Sequence, residues 1–416
     1  MTHDDAPAMP GEETPLAWTG TADKASYYRL FVAYILALLA TGVSTVGLAL
    51  LAYDLAGEDS GAVIGTALSL KMLAYIVAAP FVTTLIRRLP RKPLLIALDI
   101  MRAGSLAVLP LVTEPWQVFV LVFVFALASA TFTLVYQTVV PYLLANQEDY
   151  TKSLARSRIA NELETSVSPL IAAALLLVFA AKGVFVVAAV AFLLSAWLIG
   201  RMNIPATTLR RPERIVSGML RGPRLFLSVA DLRGLFALDI AVACGTAMVM
   251  VNTVVIVQSQ FDGDSRTSAI TFAVFGLGSI LGAISVTPAL RLLPERFVML
   301  AGGAIVALGL LVGMLTATLT GLFGLWLVIG VGCSLVMTPA TFLIRRIAPP
   351  NDLQYLFAAQ LSISSACLLV AYSAAGWLGA TVGMVWAFAI LGAVAAAATG
   401  AAVRLWPGRA SATPAT

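Results

Sequence analysis

Ionisable side chains interrupt long apolar stretches of this sequence, and they are the residues with the greatest chemical potential. Six stand out: Lys71, Asp99, Arg102, Glu162, Glu164 and Asp239. A charged side chain at the centre of a bilayer costs about 2.5–3.5 kcal/mol on insertion scales unless it finds a partner or water. Each of these groups therefore either pairs with another helix or faces a wet cavity where it can bind an ion, a proton or a charged molecule.

Asp239 and Lys71 are the strongest candidates for exchange chemistry. Asp239 lies about eight residues into its apolar stretch, and Lys71 lies near the middle of its own. A buried carboxylate can exchange a proton for an approaching cation, so we predict that Asp239 carries a proton. For Lys71 we predict binding of an anionic group or cycling against a carboxylate. The alternatives are a static ion pair between helices for Lys71, and a structural contact with Lys71 or a backbone amide for Asp239.

Asp99 and Arg102 are one helical turn apart and can therefore pair on one face of a helix. We predict a static intramembrane pair. Cofactor chemistry has little support, because the sequence has one histidine, His3, near its start. The three cysteines all lie inside apolar stretches, and no Gly-x-x-x-x-Gly-Lys-Ser/Thr run for nucleotide phosphates is present. We predict no cofactor, no metal site and no direct ATP hydrolysis.

The composition indicates the elements that hold these charges. Hydrophobic residues make up 60% of the 416 residues and charged residues 11%, with a mean hydropathy of +0.94. Apolar stretches of roughly 20 residues, the length that crosses a bilayer as a helix, recur along the chain. The sequence predicts an all-α polytopic membrane protein with twelve transmembrane helices. The expected divisions are a disordered tail (1–25), a six-helix bundle (26–202), a basic central loop (203–228), a second six-helix bundle (229–403) and a tail (404–416).

A repeated basic turn supports the division into six plus six. Residues 83–92 read Thr-Thr-Leu-Ile-Arg-Arg-Leu-Pro-Arg-Lys, and a weaker copy stands at 287–296 as Thr-Pro-Ala-Leu-Arg-Leu-Leu-Pro-Glu-Arg. The alignment pairs Pro90 with Pro294 and Lys92 with Arg296. Two similar halves in a membrane protein predict a binding site between them near the bilayer midplane.

The distribution of basic residues predicts the orientation. Of the 26 Lys and Arg residues, 22 fall in the tails and even-numbered connections, and only Lys182 and Arg266 fall on the opposite side. This asymmetry places both termini in the cytoplasm and accounts for the net charge of +5 without nucleic acid. Four tryptophans are expected at the outer ends of the spans, as interfacial aromatic residues: Trp116, Trp326, Trp377 and Trp386.

The basic turn and the twelve spans resemble the major facilitator superfamily of secondary transporters. The family signature in this turn is Gly-x-x-x-Asp-Arg-x-Gly-Arg-Lys, and Arg88, Arg91 and Lys92 match it. Arg87 stands where the family has aspartate. One of Glu162 and Glu164, placed near the cytoplasmic surface, is a candidate to pair with the basic turn as a gate in its place; the alternative is a solvated charge at a helix entry.

Other residues resemble a branch of siderophore exporters and related effluxers. They are Arg29-Leu30, Tyr53-Asp54-Leu55, Lys71, Asp99-x-x-Arg102 and Ser168-Pro169, with Pro169 where exporters carry Gly-Pro. In this superfamily the first, fourth, seventh and tenth helices line the cavity. Gln137 and Asn252 are therefore candidates for substrate contact, although polar residues in membrane helices often bond to a neighbouring helix.

The resemblance implies secondary transport by alternating access. We predict proton-coupled efflux of a small organic molecule, such as a drug-like compound, a siderophore or a metabolite, by a monomer in the cytoplasmic (inner) membrane. Its partners are then the substrate, the proton and lipid. The alternatives are an importer or uniporter of a metabolite, and a membrane-embedded enzyme.

Overall fold

The computed structural model describes residues 24–144, 147–202, 221–347 and 353–406, and every regular element within them is helical. The first six long helices are α1 Lys24–Ala56, α2 Ser60–Arg88, α3 Arg91–Val108, α4 Pro115–Leu143, α5 Gln147–Val178 and α6 Ala181–Gly200. The second six are α7 Ala230–Val255, α8 Ser265–Leu292, α9 Glu295–Gly313, α10 Leu319–Ile347, α11 Leu353–Thr381 and α12 Met384–Leu405. A short helix, Arg221–Ser228, precedes α7 and ends the predicted central loop. The rest of that loop, and both predicted tails except Lys24, Ala25 and residues 404–406, lie outside the described residues.

The helices have the length and composition that a bilayer requires. Ten apolar stretches of the described residues are long enough to cross a membrane, and one of them, Lys24–Ala78, includes both α1 and most of α2. The remaining helix, α5, contributes a shorter apolar segment at Val167–Val178. Twelve spans are therefore consistent with the prediction.

The packing repeats between the two halves. In the first six helices α1 packs on α6, α2 on α4, and α3 on both α4 and α6. The corresponding pairs in the second six are α7 with α12, α8 with α10, and α9 with α10 and α12. The basic turns also correspond, because Pro90 and Pro294 are the extended residues that immediately precede α3 and α9. The predicted six-plus-six fold is confirmed.

Two equivalent seams join the halves, α2 against α11 and α5 against α8. The α2–α11 seam is tight because glycines meet there: a Cβ at Gly65 would lie 3.1 Å from the Cα of Gly376. Small residues let membrane helices approach to backbone contact.

α5 begins at Gln147, so polar residues form its first part, because a helix can continue beyond the hydrocarbon into water. One sequence expectation was wrong. Trp326 was expected at the interface, but it is fully buried and its indole Nε1 donates a hydrogen bond of 2.8 Å to Thr253 Oγ1.

Candidate functional site

Lys71 lies on α2, eleven residues after the helix begins, and its ammonium group has two described interactions. Its Nζ donates to Thr45 Oγ1 at 3.4 Å, and that hydroxyl donates to the carbonyl of Thr41 at 3.1 Å. Lys71 also interacts electrostatically with Glu164 on α5. Both charged side chains are partly exposed.

Glu164 lies near the middle of α5: it follows the first residue of the helix by seventeen positions and precedes the last by fourteen. The apolar segment of α5 begins only at Val167, so the depth predicted for Glu164, near the cytoplasmic surface, stays a prediction. Gly42 of α1 permits close packing against this part of α5, since a Cβ there would lie 3.2 Å from the Glu164 carbonyl oxygen and would overlap Ser168.

Two tyrosines complete the surroundings of Glu164. Tyr75, one turn after Lys71 on α2, and Tyr372 on α11 both interact electrostatically with its carboxylate. Tyr372 belongs to the second half of the molecule, so residues of both halves meet here. We call Thr45, Lys71, Tyr75, Glu164 and Tyr372 the central polar site. Sequence reasoning missed the tyrosines; the internal repeat, which predicts a site between the halves, was the available signal.

Asp239 is nearly fully buried on α7, and Gln360 of α11 is a described partner. The Gln360 Nε2 lies 3.0 and 2.9 Å from the two carboxylate oxygens and 3.0 Å from Ser364 Oγ. The structure therefore places Lys71 with Glu164, and Asp239 with a neutral amide within the second half. The alternative in which Asp239 is the structural partner of Lys71 has no support in these contacts.

Asp99 and Arg102 pair directly on α3, as the sequence predicts. Ser195 of α6 donates to the second Asp99 carboxylate oxygen at 2.7 Å. The guanidinium lies between two aromatic rings, 4.0 Å from the centroid of Phe132 and 4.5 Å from that of Phe192. Both charges are buried, so this pair holds α3, α4 and α6 together away from the seams.

The gate candidates are only partly described. Lys92 donates to the carbonyl of Met202 at 2.7 Å, which ties the start of α3 to the end of α6, and Arg91 is buried. The side chains of Arg88 and Glu162 lie outside the described residues. Pro169 is an interior residue of α5, just after Ser168. The gating role of these residues stays a prediction.

Comparison with known proteins decides the family. The model of the Major Facilitator Superfamily matches residues 30–286 and 235–415, and together these matches cover nearly the whole chain. The chain belongs to the Major Facilitator Superfamily.

Relatives and solved structures agree with this assignment. Macrolide efflux protein A of Streptococcus pyogenes is 23% identical over 273 residues, which are 63% of this chain and 66% of that protein. The match thus spans just under two thirds of the curated relative. Among solved structures, the nucleoside transporter NupG superposes with a TM-score of 0.71 at 13% identity, over 92% of this chain and 100% of its own. A POT family transporter in complex with 5-aminolevulinic acid superposes with a TM-score of 0.70 at 12% identity, over 94% and 98%.

The two halves of this superfamily member meet at one end of the bundle. Tyr53 Oη, near the end of α1, and Ser259 Oγ, four residues after the end of α7, are 2.9 Å apart. Nearer the middle, Ser69 Oγ lies 2.7 Å from Ser373 Oγ and donates to the Leu369 carbonyl at 3.0 Å. These contacts hold the two halves together toward the end that carries the connections after α1 and α7.

The two predicted substrate contacts have different surroundings. Gln137 of α4 is exposed. Asn252 of α7 is fully buried, and its Nδ2 donates to the Ala375 carbonyl on α11 at 3.1 Å. In this conformation Asn252 joins two helices, which is the alternative role open to a polar residue in a membrane helix. A contact with substrate stays a prediction for both.

Proposed function

We propose that this protein is a proton-driven exporter of a small organic molecule that works by alternating access in the cytoplasmic membrane. The observation that carries the proposal is the central polar site, where Lys71 and Glu164 of the first half interact electrostatically and Glu164 also interacts with Tyr372 of the second. Partly exposed opposite charges at the junction of two pseudo-symmetric bundles are the expected place for a substrate in a transporter built from repeats. The similarity to a macrolide efflux protein favours outward movement.

The distribution of basic residues supports a direction of access. Since it predicts cytoplasmic termini, the end where Tyr53 contacts Ser259 is the outer end. We propose that the substrate reaches the central polar site from the opposite, cytoplasmic end, as an exporter requires. Export would follow when the contacts between α2 and α11 separate and the opposite end closes.

Asp239 is our candidate for the proton carrier. Its carboxylate is buried and receives hydrogen bonds from the neutral amide of Gln360, so gaining or losing a proton changes the net charge of its surroundings. Because α11 also carries Tyr372, a change at Asp239 can reach the central polar site through one helix. Rearrangement of the Gln360 side chain is the first step that protonation would cause.

The test is uptake into inverted membrane vesicles, whose cytoplasmic face points outward, with an imposed proton gradient and a panel of amphipathic dyes, siderophore-like anions and metabolites supplied outside. We compare the unmodified protein with Asp239→Asn and with Asp231→Asn, a control near the start of the same helix. Gradient-dependent movement that is lost in Asp239→Asn, kept in Asp231→Asn and accompanied by surviving counterflow exchange supports the proposal. Transport that does not depend on the gradient indicates a uniporter and overturns the coupling. Gradient-driven movement out of the inverted vesicles indicates an importer.

A further inference from the structure

Lys71 and Glu164, the charged residues of the central polar site, interact electrostatically but form no direct ion pair. Among the described residues, no carboxylate oxygen lies within 4.0 Å of Lys71 Nζ, although Glu164 is its electrostatic partner. The ammonium instead donates to the hydroxyl of Thr45 at 3.4 Å, a long hydrogen bond. Both side chains are partly exposed, so neither charge is fully enclosed by its neighbours.

We propose that Lys71 and Glu164 together bind a dipolar organic molecule, with its anionic group at Lys71 and its amine at Glu164. This inference rests on the proposed function, because it names the substrate class for the same site. A molecule with only a positive charge would be attracted by Glu164 and repelled by Lys71. A molecule with only a negative charge would be attracted by Lys71 and repelled by Glu164. A ligand that carries both charges satisfies both residues, and such pairing is what makes a charge tolerable away from bulk water.

Two tyrosines add a second requirement. Tyr75 of α2 and Tyr372 of α11 interact electrostatically with Glu164, and a phenol ring combines an apolar body with a polar tip. Rings of this kind favour a ligand with a flat apolar body between or beside its charges. The fitting class is therefore an aromatic or amphipathic amino acid, or a similar zwitterion.

The position of Tyr372 gives binding a conformational consequence. Lys71, Tyr75 and Glu164 belong to the first half and Tyr372 to the second, so the complete site exists only while α2 and α11 are together. A ligand that needs all four groups stabilises this arrangement by its differential affinity. Ligands of the proposed class should therefore protect the α2–α11 seam, whereas singly charged analogues should not.

The experiment measures binding to the purified full-length protein in detergent by isothermal titration calorimetry, without any gradient. The probes are L-phenylalanine and 4-(aminomethyl)benzoate, each compared with its amide, which keeps only the positive charge, and its N-acetyl derivative, which keeps only the negative one. We expect at least one zwitterion to bind about tenfold or more tightly than both of its analogues. Thermal unfolding of each variant verifies that it is folded.

Two substitutions must then change the selectivity in opposite ways. In Glu164→Gln the N-acetyl derivative should bind as well as the zwitterion, and in Lys71→Met the amide should do so. The exchange Lys71→Glu with Glu164→Lys should retain zwitterion binding in the reversed orientation. Equal binding of zwitterions and analogues, no binding of any probe at 10 mM by folded protein, or unchanged selectivity in both single variants would overturn the inference.

Failure of this inference differs from failure of the proposed function. Zwitterion binding without gradient-driven movement would leave the substrate class intact and remove the proton coupling. Gradient-driven export of other compounds by a protein that binds none of the probes would leave the proton coupling intact and remove the substrate class. If Lys71 and Glu164 bind only water, none of the probes will bind and transport will be preserved.

Discussion

Lys71 of α2 and Glu164 of α5 interact electrostatically but form no ion pair within 4.0 Å, and this relationship determines how their substitution affects stability. Removing one charge leaves the other in a membrane core without its described electrostatic partner. We expect Lys71→Met and Glu164→Gln each to lower the free energy of unfolding in mixed micelles. The double variant should be more stable than the sum of the single losses predicts, with a coupling of about 0.5–3 kcal/mol.

The measurement is a double-mutant cycle from denaturant unfolding. Strict additivity would mean that the two groups do not sense each other in the folded protein.

Asp99 and Arg102 form the buried counterpart of that pair. Breaking a buried ion pair by removing one partner typically costs about 3–5 kcal/mol, whereas replacing both charges by apolar residues is often neutral. We therefore expect Asp99→Asn to be strongly destabilised and Asp99→Leu combined with Arg102→Met to recover most of the loss. Ser195→Ala, which removes one hydrogen bond to the carboxylate, should cost about 1.5–3 kcal/mol, as expected for a hydrogen bond to a charged group.

Unfolding midpoints and the yield of folded protein measure these effects. The pH dependence of transport in the surviving variants should match that of the unmodified protein. A shifted pH profile in the double variant would show that this pair takes part in coupling.

Gly42 gives a test of how α5 is positioned. A methyl group at this position would overlap Ser168 and approach the Glu164 carbonyl oxygen at 3.2 Å. We expect Gly42→Ala to lower stability and to weaken any ligand binding at the central polar site. Gly104→Ala is the matched control, since no atom lies within 4 Å of a Cβ there.

Ala is the better helix former by about 0.8–1.0 kcal/mol, so Gly104→Ala should leave stability unchanged or raise it. Equal behaviour of the two variants would contradict the close packing of α1 on α5.

Asp264 supplies a pH dependence outside the membrane. It caps α8 by accepting a hydrogen bond of 2.8 Å from the backbone N–H of Thr267 and another from its hydroxyl. These hydrogen bonds, the backbone one first, lower the pKa of the carboxyl group below its ordinary value. Because the pKa is lower in the folded protein, its stabilisation is present above the pKa of the unfolded chain and disappears as the pH falls through the folded value.

We expect Asp264→Ala to cost about 0.5–2 kcal/mol, the usual range for loss of an N-cap, and to remove part of the acid sensitivity below about pH 4, near the ordinary pKa of aspartate. Asp262→Asn on the same connection serves as the control. An unchanged acid transition in Asp264→Ala would contradict the assignment.

The sequence predicted the membrane fold well and the site only in part, for a physical reason. Hydropathy reports which segments are apolar, and the repeated basic turn reports that the halves are related, so the twelve helices followed. Neither signal gives a helix's rotation or its extension beyond the bilayer. Trp326 was therefore assigned to the interface although it is buried.

The sequence predicted the partners of the buried charges only where both lie on one helix. Asp99 and Arg102 share one helix, so their spacing alone predicts the pair. Lys71 and Glu164 lie on different helices, and so do Asp239 and Gln360. These interactions therefore depend on how the helices are rotated toward one another. Tyr372 belongs to the site because α11 packs on α2. No local pattern in the sequence of α11 predicts this packing.

The α2–α11 seam provides the most direct test of alternating access. Ser69 Oγ and Ser373 Oγ are 2.7 Å apart across the two halves, so cysteines at both positions should form a disulfide in this conformation. The native Cys244, Cys333 and Cys367 must first be replaced by alanine. We expect oxidation of Ser69→Cys/Ser373→Cys to reduce transport by about tenfold or more, because the cross-link holds the halves together, and a reductant to restore it.

Each single cysteine variant should transport equally with and without oxidant. The conformational argument predicts a further asymmetry: the cross-linked protein should still bind ligand at the central polar site, since Lys71, Glu164 and Tyr372 remain together, while releasing none across the membrane. Full transport after quantitative cross-linking would mean that the α2–α11 seam does not open during the cycle, and alternating access would then require separation elsewhere.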